Sequence, residues 1–153
     1  MRLLVLSDSH QRAFLLQAVL KKETDADVVF HLGDGAADLR TFMQNEKRPV
    51  YLLQGNCDSR FAKLDENFDG IVAQTHIFAA HGDAYNVKFG LEKMALQAQL
   101  RQADLVLYGH THIPFHAYDN GIHFFNPGAL TDGRYGCVDI TDIGIFCIHK
   151  EIK

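Results

Sequence analysis

The sequence predicts a single α/β domain, residues 1–153, in which two β-sheets pack together with helices outside. Short aliphatic runs alternate with helical patterns early in the chain, and pairs of strand-like runs around turn residues follow. The length of 153 residues, with 47% hydrophobic and 22% charged residues, is typical of one globular domain with a sizeable core. Length, periodicity and turn chemistry therefore favour the same fold class.

The first third of the chain predicts strands and helices in alternation. Each strand is a short apolar run, and each helix carries apolar residues at helical spacing. The predicted elements are a strand at Arg2–Ser7, a helix at Arg12–Lys22, a strand at Asp27–Leu32, a helix at Ala36–Asn45 and a strand at Val50–Leu53. The expected apolar faces of the two helices are Phe14, Leu15, Ala18 and Val19, then Leu39, Phe42 and Met43. This order implies a mostly parallel sheet with right-handed crossovers.

The rest of the chain predicts mainly hairpins. They are Gly70–Ala73 with Thr75–Ala80, Phe115–Tyr118 with Ile122–Phe125, and Gly136–Ile140 with Gly144–His149. The second has the strongest turn signal, Asp119-Asn120-Gly121. Lys88–Ala103 is the longest helical pattern, and Leu105–Tyr108 is a further buried strand. The apolar residues of that helix are Leu91, Met94, Ala95, Ala98 and Leu100.

Composition narrows the classes of function. Fifteen Lys and Arg residues against 19 Asp and Glu residues give a formal net charge of −4, which disfavours a protein that binds nucleic acid by neutralising phosphates. Cys57, Cys137 and Cys147 cannot all pair within one chain, which favours a reducing compartment. The N-terminus lacks a signal-peptide pattern, and no run approaches the roughly 20 apolar residues of a membrane span. We therefore expect a cytoplasmic protein.

Polar residues follow five of the predicted strands, each beside a glycine or another small residue. The five turns are Asp8-Ser9-His10, Gly33-Asp34-Gly35, Gly55-Asn56-Cys57-Asp58, His81-Gly82-Asp83 and Gly109-His110-Thr111-His112. Gly-Asp and Gly-Asn alone are ordinary turn sequences, but turn chemistry does not explain five of these motifs after buried strands. Functional groups gather at the carboxyl ends of strands in open α/β sheets, so we expect these turns to converge on one site.

The side chains of these turns suit two metal ions. Imidazole, carboxylate and amide groups bind ions such as Mn, Fe, Ni and Zn, and seven of them are too many for one tetrahedral zinc. Asp34 is the natural bridge, because a carboxylate offers two oxygens to ions roughly 3.5–4 Å apart. Alternate strand residues point the same way, so each Asp-x-His or His-x-His pair is expected to face the site while Ser9 and Thr111 face away. The candidate ligands are Asp8, His10, Asp34, Asn56, His81, His110 and His112.

This set of motifs, D-x-H, G-D, G-N-x-D, H-G and G-H-x-H, resembles that of the calcineurin-like metallophosphoesterase superfamily. The resemblance extends to Asn126-Pro127-Gly128-Ala129, which is similar to the N-P-G-S turn of the family's small bacterial and archaeal phosphodiesterases. It therefore covers nearly the whole chain. It implies a four-layer α/β/β/α sandwich of two mixed sheets flanked by helices. It also implies two divalent metal ions, with manganese as first choice and nickel, iron and zinc as alternatives.

Carried over by position, the resemblance implies two ligand sets that share Asp34. One ion would be held by Asp8, His10, Asp34 and His112, and the other by Asp34, Asn56, His81 and His110. The ions would lower the pKa of a bridging water, so that hydroxide attacks phosphorus without a protein nucleophile. Asn56 and His81 would also lie near the phosphate, which makes them the candidate catalytic residues.

Three positions depart from the family pattern. Cys57 replaces a His that protonates the leaving group, and a thiol of ordinary pKa about 8.5 is a poor substitute. Asp83 stands where small members often have a second His, and Ala129 replaces the usual Ser. The change at Cys57 favours small phosphodiesters as substrates over phosphomonoesters.

Two other functions are alternatives to the phosphodiesterase. A phosphomonoesterase is disfavoured by Cys57, and a non-catalytic protein-interaction scaffold of the same fold has no need of seven metal ligands. A membrane partner is not expected, nucleic acid is disfavoured by charge, and self-association through the Phe115–Phe125 hairpin is left open.

The remaining histidines, cysteines and acidic residues have structural interpretations. His31 is expected to pack within its strand or to support a ligand, and Asp58 to bond either a ligand or its own turn. His76, His116, His123 and His149 are interpreted as surface or packing residues. Cys137 and Cys147 are interpreted as small buried hydrophobic residues.

Overall fold

Residues 1–58 and 63–153 are described by a computed structural model of the protein. Within these ranges the strands are β1 (Arg2–Leu6), β2 (Val28–His31), β3 (Val50–Leu52), β4 (Asn67–Val72), β5 (Thr75–Ala80), β6 (Leu105–Tyr108), β7 (Phe115–Asp119), β8 (Ile122–Asn126), β9 (Arg134–Thr141) and β10 (Gly144–Glu151). The helices are α1 (Ala13–Lys22), α2 (Ala36–Met43) and α3 (Glu92–Arg101). Short 3-10 turns occur at Asp83–Tyr85 and Leu130–Asp132. Over these residues no helix has the length and apolar character that a bilayer span requires.

The strands form two five-stranded mixed sheets. The first has the order β10-β9-β1-β2-β3, with β1, β2 and β3 parallel and β9 antiparallel to β1. The second has the order β4-β5-β6-β8-β7, with β5, β6 and β8 parallel. Leu6 pairs with His31, which pairs with Leu52, and Ala80 pairs with Tyr108. The strands that precede the five candidate turns therefore end at the same level within each sheet.

Three apolar clusters define four layers. The first lies between the sheets and joins residues such as Val5 and Phe30 to Leu107 and Phe125. The second packs α1 and α2 on the outer face of the first sheet, and the third packs α3 on the outer face of the second. The α/β/β/α sandwich expected from the sequence is therefore confirmed.

All three predicted hairpins are present. The pairs β4–β5, β7–β8 and β9–β10 are antiparallel. The turn between β7 and β8 has φ 49° at Asn120 and φ 83° at Gly121, and the turn between β4 and β5 has positive φ at Ala73 and Gln74. Two successive residues with positive φ give the twist that a two-residue hairpin needs, and Asn-Gly adopts it at little cost.

The buried faces of the helices differ in part from the sequence prediction. In α1 the fully buried residues are Leu16 and Val19, whereas Phe14 is 62% exposed. In α2, which ends at Met43 rather than Asn45, Leu39 is buried and Met43 is exposed. The apolar positions of these helices fit more than one helical stripe, and packing against the sheet selects one of them.

Helix α3 is shorter than predicted. It begins at Glu92 rather than Lys88, because Gly90 has φ 152°, which is incompatible with a right-handed helix. Its buried residues are Met94 and Ala98, four positions apart, and Leu100 is 69% exposed. The packed face of α3 is therefore narrower than the run of apolar residues indicates.

Met94 and Leu100 lie on different faces of α3, so substitutions at these two residues test which face of the helix is packed. We expect Met94→Ala to lower the free energy of unfolding by about 2–5 kcal/mol, because it removes a fully buried side chain and leaves a cavity. Leu100→Ala should change it by no more than about 0.5 kcal/mol. Urea denaturation of the two variants measures both effects, and similar losses would mean that α3 packs through a different face.

Candidate metal centre

The five candidate turns meet at one end of the two sheets. Neighbouring turns are joined by backbone hydrogen bonds, from Asp8 N to Gly33 O at 3.0 Å and from Gly109 N to His81 O at 2.9 Å. A third bond crosses between the sheets, because His81 Nδ1 lies 2.9 Å from Leu32 O and donates to it. Face-to-face packing of the sheets therefore brings both sets of turns into one site.

The backbone at five candidate ligands is left-handed. The φ angles are 54° at Asp8, 43° at His10, 57° at Asp34, 65° at His110 and 62° at His112. Strand alternation therefore does not orient these side chains, because the chain turns at each candidate ligand. Asp and His tolerate this region better than most residues with a Cβ, and such residues cluster at functional sites.

The intervening residues nevertheless face away from the site, as expected. Ser9 Oγ donates to Asp38 Oδ2 at 2.6 Å, and Thr111 Oγ1 accepts from Asn126 Nδ2 at 3.0 Å. Each contact turns the hydroxyl into the protein and fixes the loop between two candidate ligands. Ser9 and Thr111 therefore face away from the site because of the geometry of the turns and not because of strand alternation.

Asp8, His10 and His112 form the first cluster of candidate ligands. Asp8 is fully buried, and its Oδ1 lies 3.1 Å from His112 Nε2 and 3.6 Å from His10 Nε2. The two Nε2 atoms lie 3.3 Å apart. The other carboxylate oxygen of Asp8 accepts from Ser7 Oγ at 2.5 Å and from His110 N at 3.1 Å. One oxygen of Asp8 is therefore held by the protein, and the other faces the two imidazoles.

His81 is the centre of the second cluster. Its Nε2 lies 3.1 Å from Asn56 Oδ1, 3.2 Å from His110 Nδ1 and 3.4 Å from Asp34 Oδ2. Because Nδ1 donates to Leu32 O, Nε2 is the nitrogen that faces the other candidate ligands. A histidine held in this way by a backbone carbonyl is typical of metal sites.

Asp34 lies between the two clusters. Its Oδ2 is 3.4 Å from His81 Nε2 and 3.9 Å from His10 Nε2, while Oδ1 accepts from Cys57 N at 2.7 Å. Burial disfavours the charged carboxylate, but hydrogen bonding to His81 and Cys57 outweighs burial and lowers the pKa of Asp34 well below its usual range. Asp34 is therefore an anion that faces members of both clusters.

Burial and neighbouring charged groups also shift the pKa values of two histidines in the site. Burial favours neutral His81, but Asp34 and Asp8 outweigh it and raise the pKa of His81. Burial and the neighbouring His81 lower the pKa of His110. The cluster thus combines two carboxylates with imidazoles that differ in their affinity for a proton.

Asp58 organises the turns without joining the ligands. Its buried carboxylate accepts backbone hydrogen bonds from Asp34 N at 2.7 Å, Gly55 N at 3.0 Å and Ala36 N at 3.1 Å. Asp58 therefore has both roles left open for it, because it bonds the backbone of the candidate ligand Asp34 and that of Gly55 in its own turn. Asp58 ties the Gly33-Asp34-Gly35 turn to the Gly55-Asn56 turn.

Three supporting residues were missed or given no role in the sequence analysis. Ser7 fixes Asp8, and buried Asp38 accepts from both Ser9 Oγ and Gln11 N. Asn126 is fully buried and donates from Nδ2 to Gly109 O at 2.9 Å, which holds the turn that carries His110. Only Asn126 had a signal in the sequence, its place in the Asn-Pro-Gly turn.

The glycine before Asn56 permits the close approach of two turns. A Cβ built on Gly55 would overlap Asp34 Oδ1 and crowd Asp34 N. No larger residue fits there unless both the backbone and the carboxylate of Asp34 move. The Gly-Asn motif is therefore explained by the position of the neighbouring turn.

The residues that depart from the family pattern lie beside the ligands. Cys57 is an exposed residue. The pKa of its thiol is raised, first by partial desolvation of the sulfur and second by the nearby Asp34 carboxylate. Its sulfur lies within 4.8 Å of ligand atoms of His10 and Asp34. Asp83 is exposed and lines a cavity of about 170 Å³ with Asn56 and His81. Ala129 is fully buried, so its side chain does not reach the site surface.

His31 is a packed residue, as predicted. It is fully buried, its Nδ1 accepts from Gly33 N at 3.3 Å, and its Nε2 lies 3.3 Å from Ser9 Oγ. Burial lowers the pKa of His31 to about 4, so the ring is neutral. Through these contacts His31 supports the Asp8-Ser9-His10 turn and the Gly33-Asp34-Gly35 turn.

Comparison with known proteins identifies the family. The model of the calcineurin-like phosphoesterase superfamily domain matches residues 1–142. The chain belongs to this superfamily. It is 29% identical over 131 residues to "Probable metallophosphoesterase YsnB" of Bacillus subtilis, a match that covers 85% of this chain and 75% of the relative. It is 26% identical over 115 residues to "Phosphodiesterase YfcE" of Escherichia coli K12, covering 67% and 59%.

Solved structures share the fold of this phosphoesterase chain. A predicted phosphoesterase from Streptococcus pneumoniae TIGR4 superposes with a TM-score of 0.85 and 27% identity, covering 98% of this chain and 88% of the other. A Vps29 variant from Entamoeba histolytica superposes with a TM-score of 0.78 and 19% identity over the whole of both chains. At that identity the second comparison shows the fold alone.

Divalent metals fit the donor set of this site. Members of the superfamily bind divalent metals, and two groups of candidate ligands, Asp8 with His10 and His112, and Asp8 with Asp34 and His81, each place their donor atoms within 4.8 Å. Nitrogen and oxygen donors of this kind suit Mn, Fe, Ni and Zn. Buried carboxylates that face histidine nitrogens provide the negative charge that a cation requires.

The support from Asp58 is testable with an exposed control. We expect Asp58→Ala to lower the free energy of unfolding by about 3–5 kcal/mol, because it leaves three buried backbone N–H groups without their hydrogen-bond acceptor. Asp142→Ala, in the exposed turn before β10, should change it by about 0.5 kcal/mol at most.

Metal uptake separates the role of Asp58 in the site from its role in folding. Under conditions where Asp58→Ala is folded by circular dichroism, it should bind metal about 10–100-fold more weakly than Asp142→Ala. Equal metal affinity in the two variants would remove Asp58 from the support of the site.

Proposed function

We propose that this chain is a phosphodiesterase that hydrolyses small phosphodiesters with two divalent metal ions. The observation that carries the proposal is that the buried Asp34 carboxylate lies between two clusters of candidate ligands, 3.4 Å from His81 of one and 3.9 Å from His10 of the other. A non-catalytic scaffold has no need of such a set. The similarity to a protein named phosphodiesterase is in agreement, although that match covers 59% of the relative.

Two ions would share Asp34. The ligands of one would be Asp8, His10, Asp34 and His112, and those of the other Asp34, Asn56, His81 and His110. The first set is supported by the contacts of Asp8 with His10 and His112, and the second by those of His81 with Asn56, Asp34 and His110. Mn²⁺ is our first choice because it accepts carboxylate and amide oxygens together with imidazole, and Ni, Fe and Zn are alternatives.

When bound, such ions supply Lewis acidity toward phosphate oxygens and lower the pKa of coordinated water. The side chains do the positioning. Asn56 and His81 line the same small cavity and would orient the phosphate. The Leu32 carbonyl holds the His81 ring, and Asp58 and Asn126 hold the turns on either side. No side-chain nucleophile is needed.

Cys57 favours diesters with good leaving groups. A general acid contributes typically 10²–10⁴-fold when it protonates the leaving oxygen. A thiol has an ordinary pKa of about 8.5, so Cys57 is a weaker proton donor near neutral pH than a protonated histidine at that position. Alkyl phosphomonoesters, whose leaving groups need a proton most, should therefore be poor substrates.

A cavity beside the His110–His112 turn suits the organic substituent of such a diester. Its volume is about 530 Å³, and among the residues that the structure describes Lys88 is the one charged member of its lining. Thr111, between the candidate ligands His110 and His112, is part of its lining, so the cavity borders that turn. Its other lining residues are Val87, Leu91, Tyr108, Thr111, Ile113 and Phe115. This lining fits a largely apolar group attached to a negatively charged phosphate.

Asp34→Asn tests the shared ligand and the activity together. We expect the variant to lose metal at both positions, because a neutral amide bridges two cations poorly. Hydrolysis of a chromogenic diester with saturating Mn²⁺ should fall by at least about 100-fold, the upper range for residues that only support metal ligands. Asp142→Asn is the control. Metal analysis and kcat/KM are the measurements.

Two results would contradict the proposal in different ways. Two full equivalents of metal in Asp34→Asn would remove Asp34 from the shared position. A metal-loaded wild-type protein that hydrolyses neither diesters nor monoesters would favour a scaffold role. Faster turnover of monoesters than of diesters would make the protein a phosphomonoesterase.

Cys57 variants test the substrate class. Cys57→Ala should leave diester hydrolysis nearly unchanged, because the thiol has no role in proton transfer. Cys57→His should raise monoesterase activity relative to diesterase activity by supplying an acid, provided the ring fits. Steady-state kinetics on matched nitrophenyl mono- and diesters measure both effects. A fall of 100-fold or more in diester kcat for Cys57→Ala with both metals bound would mean that the thiol takes part.

Other expectations remain predictions. They are a cytoplasmic location, the absence of membrane and nucleic-acid partners, a single domain over residues 1–153, and self-association as an open question. The roles proposed for the residues of the candidate metal centre do not depend on these expectations.

A further inference from the structure

A second group of metal-type ligands lies at the open edge of the sandwich. His116 on β7, His123 on β8 and Cys147 on β10 each place a nitrogen or sulfur atom within 4.8 Å of the others. Strands β7 and β10 are edge strands of different sheets. The cluster is therefore formed by elements other than the turns of the candidate metal centre.

Strand register explains why these side chains converge. His116 pairs with Phe125 and Tyr118 pairs with His123, so His116 and His123 are diagonal neighbours on the face that carries Phe125. Phe125 belongs to the core between the sheets, and Cys147 packs against that core from β10. All three residues therefore face the gap between the sheets at its open edge.

The distance between the two imidazoles matches that of metal ligands. His116 Nε2 lies 3.2 Å from His123 Nδ1. Two nitrogens bound tetrahedrally at about 2.0–2.1 Å from zinc lie about 3.3–3.4 Å apart. The candidate metal centre has the same spacing, 3.3 Å between His10 and His112 and 3.2 Å between His81 and His110.

The chemical state of the group also suits a metal. Burial lowers the pKa of His116 and of His123, so both rings are neutral near pH 7 and can offer lone pairs. In the described part of the chain the Cys147 thiol has no hydrogen-bond partner, and burial raises its pKa to about 12. A bound cation would displace that proton, as metals do at coordinating thiols.

We propose that His116, His123 and Cys147 form a separate site for a borderline-soft divalent cation such as Zn²⁺. Three protein ligands of this type with water in the fourth position make a common zinc arrangement, and His116 is exposed to solvent. Thiolate and imidazole favour zinc over manganese. The ion would join β7 and β8 of one sheet to β10 of the other.

Cobalt absorption tests the site directly, since Co²⁺ bound to thiolate gives a charge-transfer band in the near ultraviolet. The Cys57→Ser protein is the background, because Cys57 lies near the other centre. Co²⁺ should produce the band in this protein. It should be absent from Cys57→Ser/Cys147→Ala and retained in Cys57→Ser/Cys137→Ala, which removes a buried cysteine outside the cluster.

Thermal unfolding gives a second measurement that avoids the cysteine. Protein saturated with Mn²⁺ should gain roughly 5–10 °C in Tm at a Zn²⁺ concentration about 100 times the dissociation constant. His116→Gln should lose most of this gain in Tm. Because the His116 side chain is exposed, the substitution should leave the fold intact. His76→Gln is the matched control, since His76 contacts Asp69 on β4 away from both sites.

Each measurement has a result that would overturn the proposal. A missing thiolate band in Cys57→Ser, or a band that survives Cys147→Ala, would mean that Cys147 binds no metal. Equal Zn²⁺ stabilisation of the His116→Gln and His76→Gln proteins would leave His116 and His123 as a hydrogen-bonded pair only. Neither result would bear on the proposed phosphodiesterase.

Discussion

Two buried carboxylates in one small volume are the constraint on which the site depends. Asp8 and Asp34 are 0% and 4% exposed, and they place oxygens within 4.8 Å of each other and of His81. Such charges are costly unless they are paired or bind metal. Backbone N–H groups and Ser7 satisfy one oxygen of each, and the remaining oxygens face imidazoles. Cation binding at these carboxylates, as proposed, would therefore be coupled to the stability of the fold.

Residues beneath the ligands fix the turns in place. Asp58, Asp38 and Asn126 are buried, and each bonds to the backbone or hydroxyl of a turn rather than to a ligand side chain. Ligands on left-handed backbone would otherwise relax toward commoner conformations. A site of this kind tolerates errors of only about 0.5 Å, so the buried polar contacts carry much of its precision.

The sequence predicted most of the fold and the convergence of the ligands, but not how the ligands are held. Strand runs and the Asn120-Gly121 turn are local signals, and the five polar turns share one topological position. The packed face of α3 and the roles of Ser7 and Asp38 depend on contacts between distant residues. Asp38 in the first turn of a helix has the pattern of a solvated residue, and only the position of Ser9 reveals its function. The left-handed ligands were missed because periodicity carries no information on φ.

Contact between the sheets produces both groups of candidate ligands, and the donor atoms of the two groups differ. At the carboxyl ends of the strands, His81 reaches from the second sheet to Leu32 of the first, among carboxylate and amide oxygens. At the open edge, His116 and His123 of the second sheet meet Cys147 of the first, without a carboxylate in the group. Oxygen-rich and sulfur-containing donor sets differ in the metals they prefer. With both sites as proposed, one sandwich would present two metal selectivities, because the same packing brings different residue types together at its end and at its edge.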